Sequence, residues 1–266
     1  MLEIAIEAAK ETGKFLKKNL GKVREIQPKA GQERNLVTEI DRRSEEIVIE
    51  KIRRHYPNHN ILAEESGSRT VGTSEYKWII DPLDGTTNFT HGLPVFCVSI
   101  GLELRGELLL GVIYDPNLDE LFVGEKGKGS SMNGKRIRVS QSSPLMKTLL
   151  VTGFPYDIVE NPANAIGHFV NFLMNAQAVR RMGSAAIDLA YVAAGRYDGF
   201  WEVALNPWDM AAGALIVQEA GGKLSDFSGN QHSIYTKEIV ASNGLVHEEM
   251  VKILKKGMPP NATGNA

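Results

Sequence analysis

One cysteine in 266 residues excludes an intrachain disulfide framework and fits a reducing compartment. That cysteine, Cys97, lies in the apolar run Val95-Phe96-Cys97-Val98 and reads as a small core residue rather than a nucleophile. Long apolar runs are missing as well. Nothing reaches the roughly 18 consecutive apolar residues of a membrane span. The N-terminus lacks the apolar stretch of a signal peptide, so a cytoplasmic protein is expected. Neither sign of charge dominates, because 30 Lys and Arg face 32 Asp and Glu. The totals therefore carry no general attraction for nucleic acid. The 6 histidines are dispersed, and no His/Cys cluster suits a structural zinc.

What is present is a patterned chain of ordinary composition, long enough for one large domain or two closely packed ones. Apolar or small residues at Leu2, Ile6, Ala9, Gly13, Leu16 and Leu20 have helical spacing and predict a surface helix stopped by Gly21. A second amphipathic helix is expected over about 39–55, ending before Pro57. From Pro94 to Val139 the period changes to that of strands. Val95–Leu104 and Glu107–Tyr114 flank the turn Arg105-Gly106, Glu120–Val123 follows, and Asn133-Gly134 precedes Arg136–Val139. This predicts an antiparallel meander.

The second half alternates. Strands are expected at Leu149–Thr152, Ala178–Arg180, Tyr197–Val203, Lys223–Asp226 and Ile239–Ala241. Helices are expected near 161–175, from Ser184 to Ala194, from Pro207 to Ala220 and at the end. We place a boundary at Ser142-Ser143-Pro144. That gives an N-terminal α+β subdomain (1–143), a C-terminal α/β subdomain (144–256) and a disordered tail (257–266). The basic residues Lys126, Lys128, Lys135, Arg136 and Arg138 suit a positively charged strand edge better than a nucleic-acid contact.

The most informative stretch is Trp78-Ile79-Ile80-Asp81-Pro82-Leu83-Asp84-Gly85-Thr86-Thr87-Asn88. Its bulky start reads as a buried strand that ends at Asp81-Pro82. Two carboxylates then flank a turn, and Gly85 and Thr86 offer backbone N–H groups at a helix start. Carboxylates hold hard divalent cations, and a helix start holds phosphate. Together they suit metal-assisted hydrolysis of a phosphate ester. A plain Asp-Pro and Asp-Gly turn is the competing reading.

The company of this stretch favours the chemistry. Ile61-Leu62-Ala63-Glu64-Glu65-Ser66-Gly67 is a short strand ending in two adjacent acids. A nearby cation would relieve their repulsion. In Asn206-Pro207-Trp208-Asp209, Asn206 suits an N-cap, Pro207 the first helical position and Asp209 the first turn. Asp209 alone would be an ordinary acid at a helix N-terminus.

These residues resemble the inositol monophosphatase family of lithium-sensitive, magnesium-dependent phosphatases. Two signatures carry the resemblance: Trp78–Phe89, and Trp208-Asp209-Met210-Ala211-Ala212-Gly213 through Glu219-Ala220-Gly221-Gly222. It extends through Leu36-Val37-Thr38 with Asp41, Glu64-Glu65-Ser66 and Gly183-Ser184-Ala185-Ala186, over about residues 5–255. The resemblance implies an α/β fold of α+β type, a layered α-β-α-β-α sandwich with a largely antiparallel N-terminal sheet. It implies a homodimer and two or three Mg²⁺ ions. Glu64 and the Leu83 carbonyl would hold the first ion, Asp84 and Asp209 the second, with Asp81 bridging. Gly85 and Thr86 would bind phosphate. Asp41 would orient Thr86, which with Glu64 activates water, and Glu65 would support them. Asp84, Gly183, Ser184, Ala185, Glu202 and Asp209 would surround the substrate.

One departure stands out. Many relatives have an Asp before Leu36-Val37-Thr38, where this chain has Asn35, which removes a charge near an activating metal. Lys29 corresponds to a family lysine near a polar loop, Lys29–Arg34, that suits a flap. The expected reaction is hydrolysis of inositol 1-phosphate, a small phosphate monoester. The rivals are a fructose 1,6-bisphosphatase, a broader sugar or nucleotide phosphatase, and, in a different class, a regulatory partner of the transcription machinery.

Overall fold

Thr38 opens the helix that carries Asp41, and it does so by a reciprocal cap. Its hydroxyl accepts from the N–H groups of Ile40 and Asp41, while the Asp41 carboxylate accepts from the Thr38 N–H. In this computed structural model, which describes residues 1–22, 26–29, 32–69 and 74–257, the capped helix is α2 (Glu39–His55). It packs with α1 (Leu2–Asn19), beyond whose end Gly21 adopts the left-handed conformation. Between them, β1 (Ile26–Lys29) and β2 (Gln32–Thr38) pair as an antiparallel hairpin. A flap was expected over Lys29–Arg34, and its residues 30–31 and the side chains of Lys29 and Asn35 lie outside the described residues. So do residues 258–266, on which the expected tail falls.

The first large sheet has eight strands. They are β3 (Asn60–Ala63), β4 (Gly67–Arg69), β5 (Tyr76–Asp84), β6 (Cys97–Leu104), β7 (Glu107–Asp115), β8 (Glu120–Glu125), β9 (Gly129–Met132) and β10 (Lys135–Arg136), with α3 (Thr86–Thr90) between β5 and β6. The order is β10-β9-β8-β7-β6-β5-β3-β4, and only the β3–β5 pairing is parallel. β10 is shorter than the expected strand through Val139. It is an edge strand, and the Arg136 guanidinium bonds the Lys128 carbonyl while Lys126 and Lys128 pair with Glu107 and Glu125. The basic hairpin therefore lies at a sheet edge, where positive charge disfavours pairing with a further strand.

The second sheet contains β11 (Leu149–Thr152), β12 (Ala178–Arg180), β13 (Gly199–Val203), β14 (Lys223–Ser225) and β15 (Glu238–Ser242), in the order β12-β11-β13-β15-β14. Its helices are α4 (Ala165–Leu173), α5 (Ala185–Ala193), α6 (Pro207–Glu219) and α7 (His247–Leu254). α4 starts later than expected. Two short 3-10 turns precede it, with Asn161 and Asn164 in the left-handed region, where asparagine is at home.

Strand alternation sorts these elements into layers. Trp78 and Ile80 of β5, with Val98, Ile100 and Leu102 of β6, face α1 and α2. Ile79, Cys97, Ile113 and Phe122 face the opposite way, into a core shared with α5 and α6. Phe200 and Ile239 of the second sheet close that core, while Trp201 and Val240 face α4 and α7. The result is the expected α-β-α-β-α sandwich. Its central core draws on both sides of residue 143. α6 sits unusually close to the first sheet, because a Cβ on Gly111 would lie 2.5 Å from the Ala212 carbonyl oxygen. Gly101 and Gly124 approach Ala211 and Ile216 of the same helix in the same way.

Candidate active site

The site begins at an irregularity in β5. The strand does not stop at Asp81-Pro82 as expected. It continues to Asp84 across a bulge, with Asp81 opposite Ser99 and Asp84 opposite Cys97. Three steps on one strand oppose two on the other, so one extra residue re-aims the side chains. Pro82 is tolerated in this interior strand because a bulge needs no ladder hydrogen bond there. The Leu83 N–H turns back to Asp81 Oδ1 at 3.0 Å.

Gly85 follows with φ of 102°, a conformation that disfavours a side chain, and a Cβ there would lie 2.8 Å from the Val95 carbonyl. It starts α3, which has only five residues. Thr86 Oγ1 lies 2.8 Å from Asp41 Oδ1 and 3.2 Å from the Leu83 carbonyl. The other Asp41 oxygen is 2.5 Å from Thr38 Oγ1. Asp41 is therefore both a helix cap and the partner of Thr86. Burial raises its pKa, against the pull of these hydrogen bonds.

Asp84 is tied to the other half of the chain. Its Oδ2 accepts from Ser184 Oγ at 2.6 Å and from the Ala186 N–H at 2.7 Å, at the start of α5. Ser184 also caps that helix through the Ile187 N–H. Asn88 adds a second tie, donating to the carbonyls of Met182 and Gly183 and of Val95. Burial and the charges of Asp84 and Asp81 push the Cys97 thiol up, and it stays a buried core group.

The remaining acids act on this point through their charges. Asp209 is the third residue of α6, and its Oδ2 accepts from the Asn206 N–H at 2.7 Å. Burial lifts Asp81 well above the carboxylate range, and the charges of Glu64, Asp84 and Asp209 lift it further. Asp209 is raised by burial and then by Glu64. Asp84 is pushed up to about 6 by burial, against its hydrogen bonds to Ser184 and Ala186. Glu202 is raised by burial and by Asp209 and Asp84, with Arg181 opposing. Among the described residues, no three His, Cys, Asp or Glu side chains stand together as a ready ligand set. What unites the four acids is charge. An all-oxygen, mutually repelling donor set fits a hard divalent cation better than any soft metal.

Four contributors were not anticipated from sequence. Glu45, buried in α2, accepts from the N–H groups of Glu65 and Ser66 and so holds the turn that presents Glu64. Asn88 bridges the two halves. Asp188 of α5 is buried with both carboxylate oxygens unpartnered among the described residues. Burial raises its pKa well above the usual value, as do the charges of Glu202 and Asp84. Tyr156 reaches Thr87 and the acids. Its hydroxyl is pushed up to about 12 by burial and then by Glu64 and Asp84, although 45 % of the residue remains exposed. Only Asn88 had a visible signal, its place in the Asp-Gly-Thr-Thr-Asn run.

Comparison with known proteins decides the ancestry of this arrangement. The model of the inositol monophosphatase family matches residues 1–258. The chain belongs to the inositol monophosphatase family. It is 48 % identical over 253 residues to the inositol-1-monophosphatase of a Synechocystis strain, covering 95 % of this chain and 88 % of the relative. It is 44 % identical over 252 residues to the Nus factor SuhB of Escherichia coli K12, covering 94 % of each. The solved structure of the inositol monophosphatase from Anabaena superposes with a TM-score of 0.88 at 47 % identity, covering 98 % of this chain and 97 % of that one. Inositol monophosphatases are phosphoric monoester hydrolases and generally metal-dependent, and this chain is such a hydrolase by family. No helix among the described residues is long and apolar enough to cross a membrane.

Proposed function

We propose that this chain hydrolyses inositol 1-phosphate to inositol and phosphate with the help of Mg²⁺. The observation that carries the reading is the convergence of Glu64, Asp81, Asp84 and Asp209, whose charges act on one another around the Asp41–Thr86 pair. Glu64, Asp81 and the Leu83 carbonyl would hold one ion, and Asp81, Asp84 and Asp209 a second. Bound there, Mg²⁺ supplies charge neutralisation at the phosphoryl group and a lower pKa for water.

The chain's own groups do the rest. Thr86 donates its single proton to Asp41, which leaves its lone pairs free to accept from the attacking water. Glu64 is the second acceptor, so the water's proton is held between Glu64 and the Thr86–Asp41 pair. The N–H groups of Gly85 and Thr86 donate to phosphoryl oxygens. With α3 only five residues long, these two donors matter more than any helix dipole. Glu65 keeps the Glu64 turn in place together with Glu45. On the alcohol side, Gly183, Ser184 and Ala185 line the approach to Asp84, and Glu202 accepts from ring hydroxyls. In this reading the half before residue 143 supplies most metal ligands. The half after it supplies Asp209 and the alcohol pocket. A homodimer belongs to the same reading.

The test is phosphate release from inositol 1-phosphate, fructose 1,6-bisphosphate and a nucleoside 3′-phosphate, with and without Mg²⁺. The highest kcat/KM is expected on inositol 1-phosphate with the metal. A clear preference for either rival substrate would overturn the assignment.

A second reading rests on names of relatives. The Nus factor SuhB of Pseudomonas aeruginosa is 41 % identical to this chain, the same value as the Mesorhizobium japonicum inositol-1-monophosphatase. Identity therefore does not separate a phosphatase from a chain that also joins the transcription machinery. Binding of the purified protein to RNA polymerase from its own source would support that second role, and no binding at micromolar concentration would remove it.

A further inference from the structure

The sheet that presents Glu202 gives it an unusual neighbour. β11 runs parallel to β13 with Thr152 beside Trp201, so the next residues, Gly153 and Glu202, come side by side just past the end of β11. Alternation decides which way Glu202 points. Trp201 stacks on Phe172 of α4, with ring centroids 3.9 Å apart. Phe200 turns the other way, into the core with α5 and α6. Glu202 shares the side of Phe200, where α5 starts at Ser184 and α6 carries Asp209. On its other flank the paired residue is Ile239, a fully buried side chain that yields no space.

The space comes from Gly153. A Cβ built there would lie 2.2 Å from Glu202 Oε1, 2.3 Å from Oε2 and 2.4 Å from Cδ. Ordinary contact between heavy atoms is about 3.5–4.0 Å, so even one methyl group excludes the carboxylate from its present place. Gly153 is not among the residues with positive φ, so its backbone admits alanine. What glycine provides at this position is room. Among the described residues the Glu202 carboxylate makes no hydrogen bond that would hold it against such a push. Packing against Gly153 and the nearby Arg181 charge act on it instead.

We infer that Gly153 is a positioning residue for alcohol recognition: its missing side chain is the seat of the Glu202 carboxylate. The inference rests on the reading of Glu202 as the acceptor for substrate hydroxyls. A chain with any side chain at 153 would carry its acid displaced, and would discriminate less between a polyol phosphate and a phosphate without ring hydroxyls.

The test compares kcat/KM on inositol 1-phosphate with that on a small aryl phosphate and follows the ratio. Glu202→Gln should lower the ratio about tenfold to a hundredfold, the range of a lost charged hydrogen bond. Gly153→Ala should lower it nearly as far, through KM more than kcat, and a crystal structure of the variant should show the carboxylate moved. Glu202→Asp shortens the side chain by one methylene and vacates the contested space. In that background, adding Gly153→Ala should change the ratio less than twofold. If Glu202→Gln leaves the ratio alone, the alcohol-side reading fails and the inference with it. If Glu202→Gln lowers it and Gly153→Ala does not, the reading survives and the inference is wrong. Should Gly153→Ala fail to fold, the Glu202→Asp double variant must fold for the inference to stand. Failure of both would make Gly153 a structural requirement unrelated to Glu202.

Discussion

The hydroxyl of Ser184 lies 2.6 Å from Asp84 Oδ2, joining residues 100 positions apart. The same hydroxyl caps α5, and the same oxygen accepts from the Ala186 N–H. One serine thus fixes an acid on the first sheet to a helix of the second half. Ser184→Ala is expected to cost about 1 kcal/mol through the lost cap, read as a lower urea midpoint with an unchanged slope. It should also raise the Mg²⁺ concentration needed for half-maximal activity. An unchanged Mg²⁺ dependence would confine Ser184 to capping.

Asp81→Asn and Asp209→Asn should each nearly abolish phosphate release while leaving the folded circular dichroism spectrum intact. A readout independent of turnover is available as well. Mg²⁺ relieves mutual repulsion among buried acids in the folded state only, so it should raise the melting temperature of the wild type and raise it less in either variant. Full activity in excess chelator would refute the metal reading.

Thr86→Ala should reduce kcat by about 10²–10⁴-fold, the usual range for a lost acid–base group, with a smaller effect on KM. Thr86→Ser keeps the hydroxyl within reach of Asp41 and should recover part of the loss. A kcat within twofold of wild type for the alanine variant would reduce Thr86 to a helix-start residue.

Lithium is expected to inhibit at millimolar concentration by competing at the Asp84 and Asp209 end of the cluster. Steady-state rates in tens of millimolar LiCl at limiting Mg²⁺ provide the measurement. Rates equal to a NaCl control would exclude it.

Asp188 gives a prediction about pH and stability. Its pKa in the folded protein is raised, first by burial and then by Glu202 and Asp84, with Arg181 opposing. The folded state then holds a proton that the unfolded chain releases near pH 4. Stability is therefore lost as pH rises above that point. Asp188→Asn cannot titrate, so the melting temperature of the variant relative to wild type should climb between pH 4 and pH 8. A constant difference across that range would show that Asp188 does not titrate differently on folding.

The site was legible where chemistry and local geometry coincide in one short run. Asp81, Asp84, Gly85 and Thr86 lie within six residues, and the strand before them is apolar enough to read directly. The bulge was not legible, because Pro82 looks like a strand end until β5 is known to carry one residue more than its partner there. Glu45 and Asp188 were missed for a related reason. Each sits on an amphipathic or alanine-rich helix, where an acid looks like part of the solvated face, and only packing shows it buried. The antiparallel meander followed from the change of period near Pro94, while the layered sandwich was implied by the family resemblance. The start of α4 was not legible, since the turns before it depend on left-handed asparagines that leave no periodic trace.

The glycines under α6 have a reach that their distance from the chemistry conceals. Gly101, Gly111 and Gly124 form a track on which the helix rests nearly backbone to backbone. Asp209 rides on the first turn of that helix. A methyl group added at Gly111 has no flexible side chain to push aside, so the helix itself must shift. Its acid would then move relative to Asp81 and Asp84, which belong to the sheet. If Asp209 holds a metal as proposed, damage to the hydrolase at this track would look like a loss of metal affinity, although the glycines themselves offer no side chain to an ion.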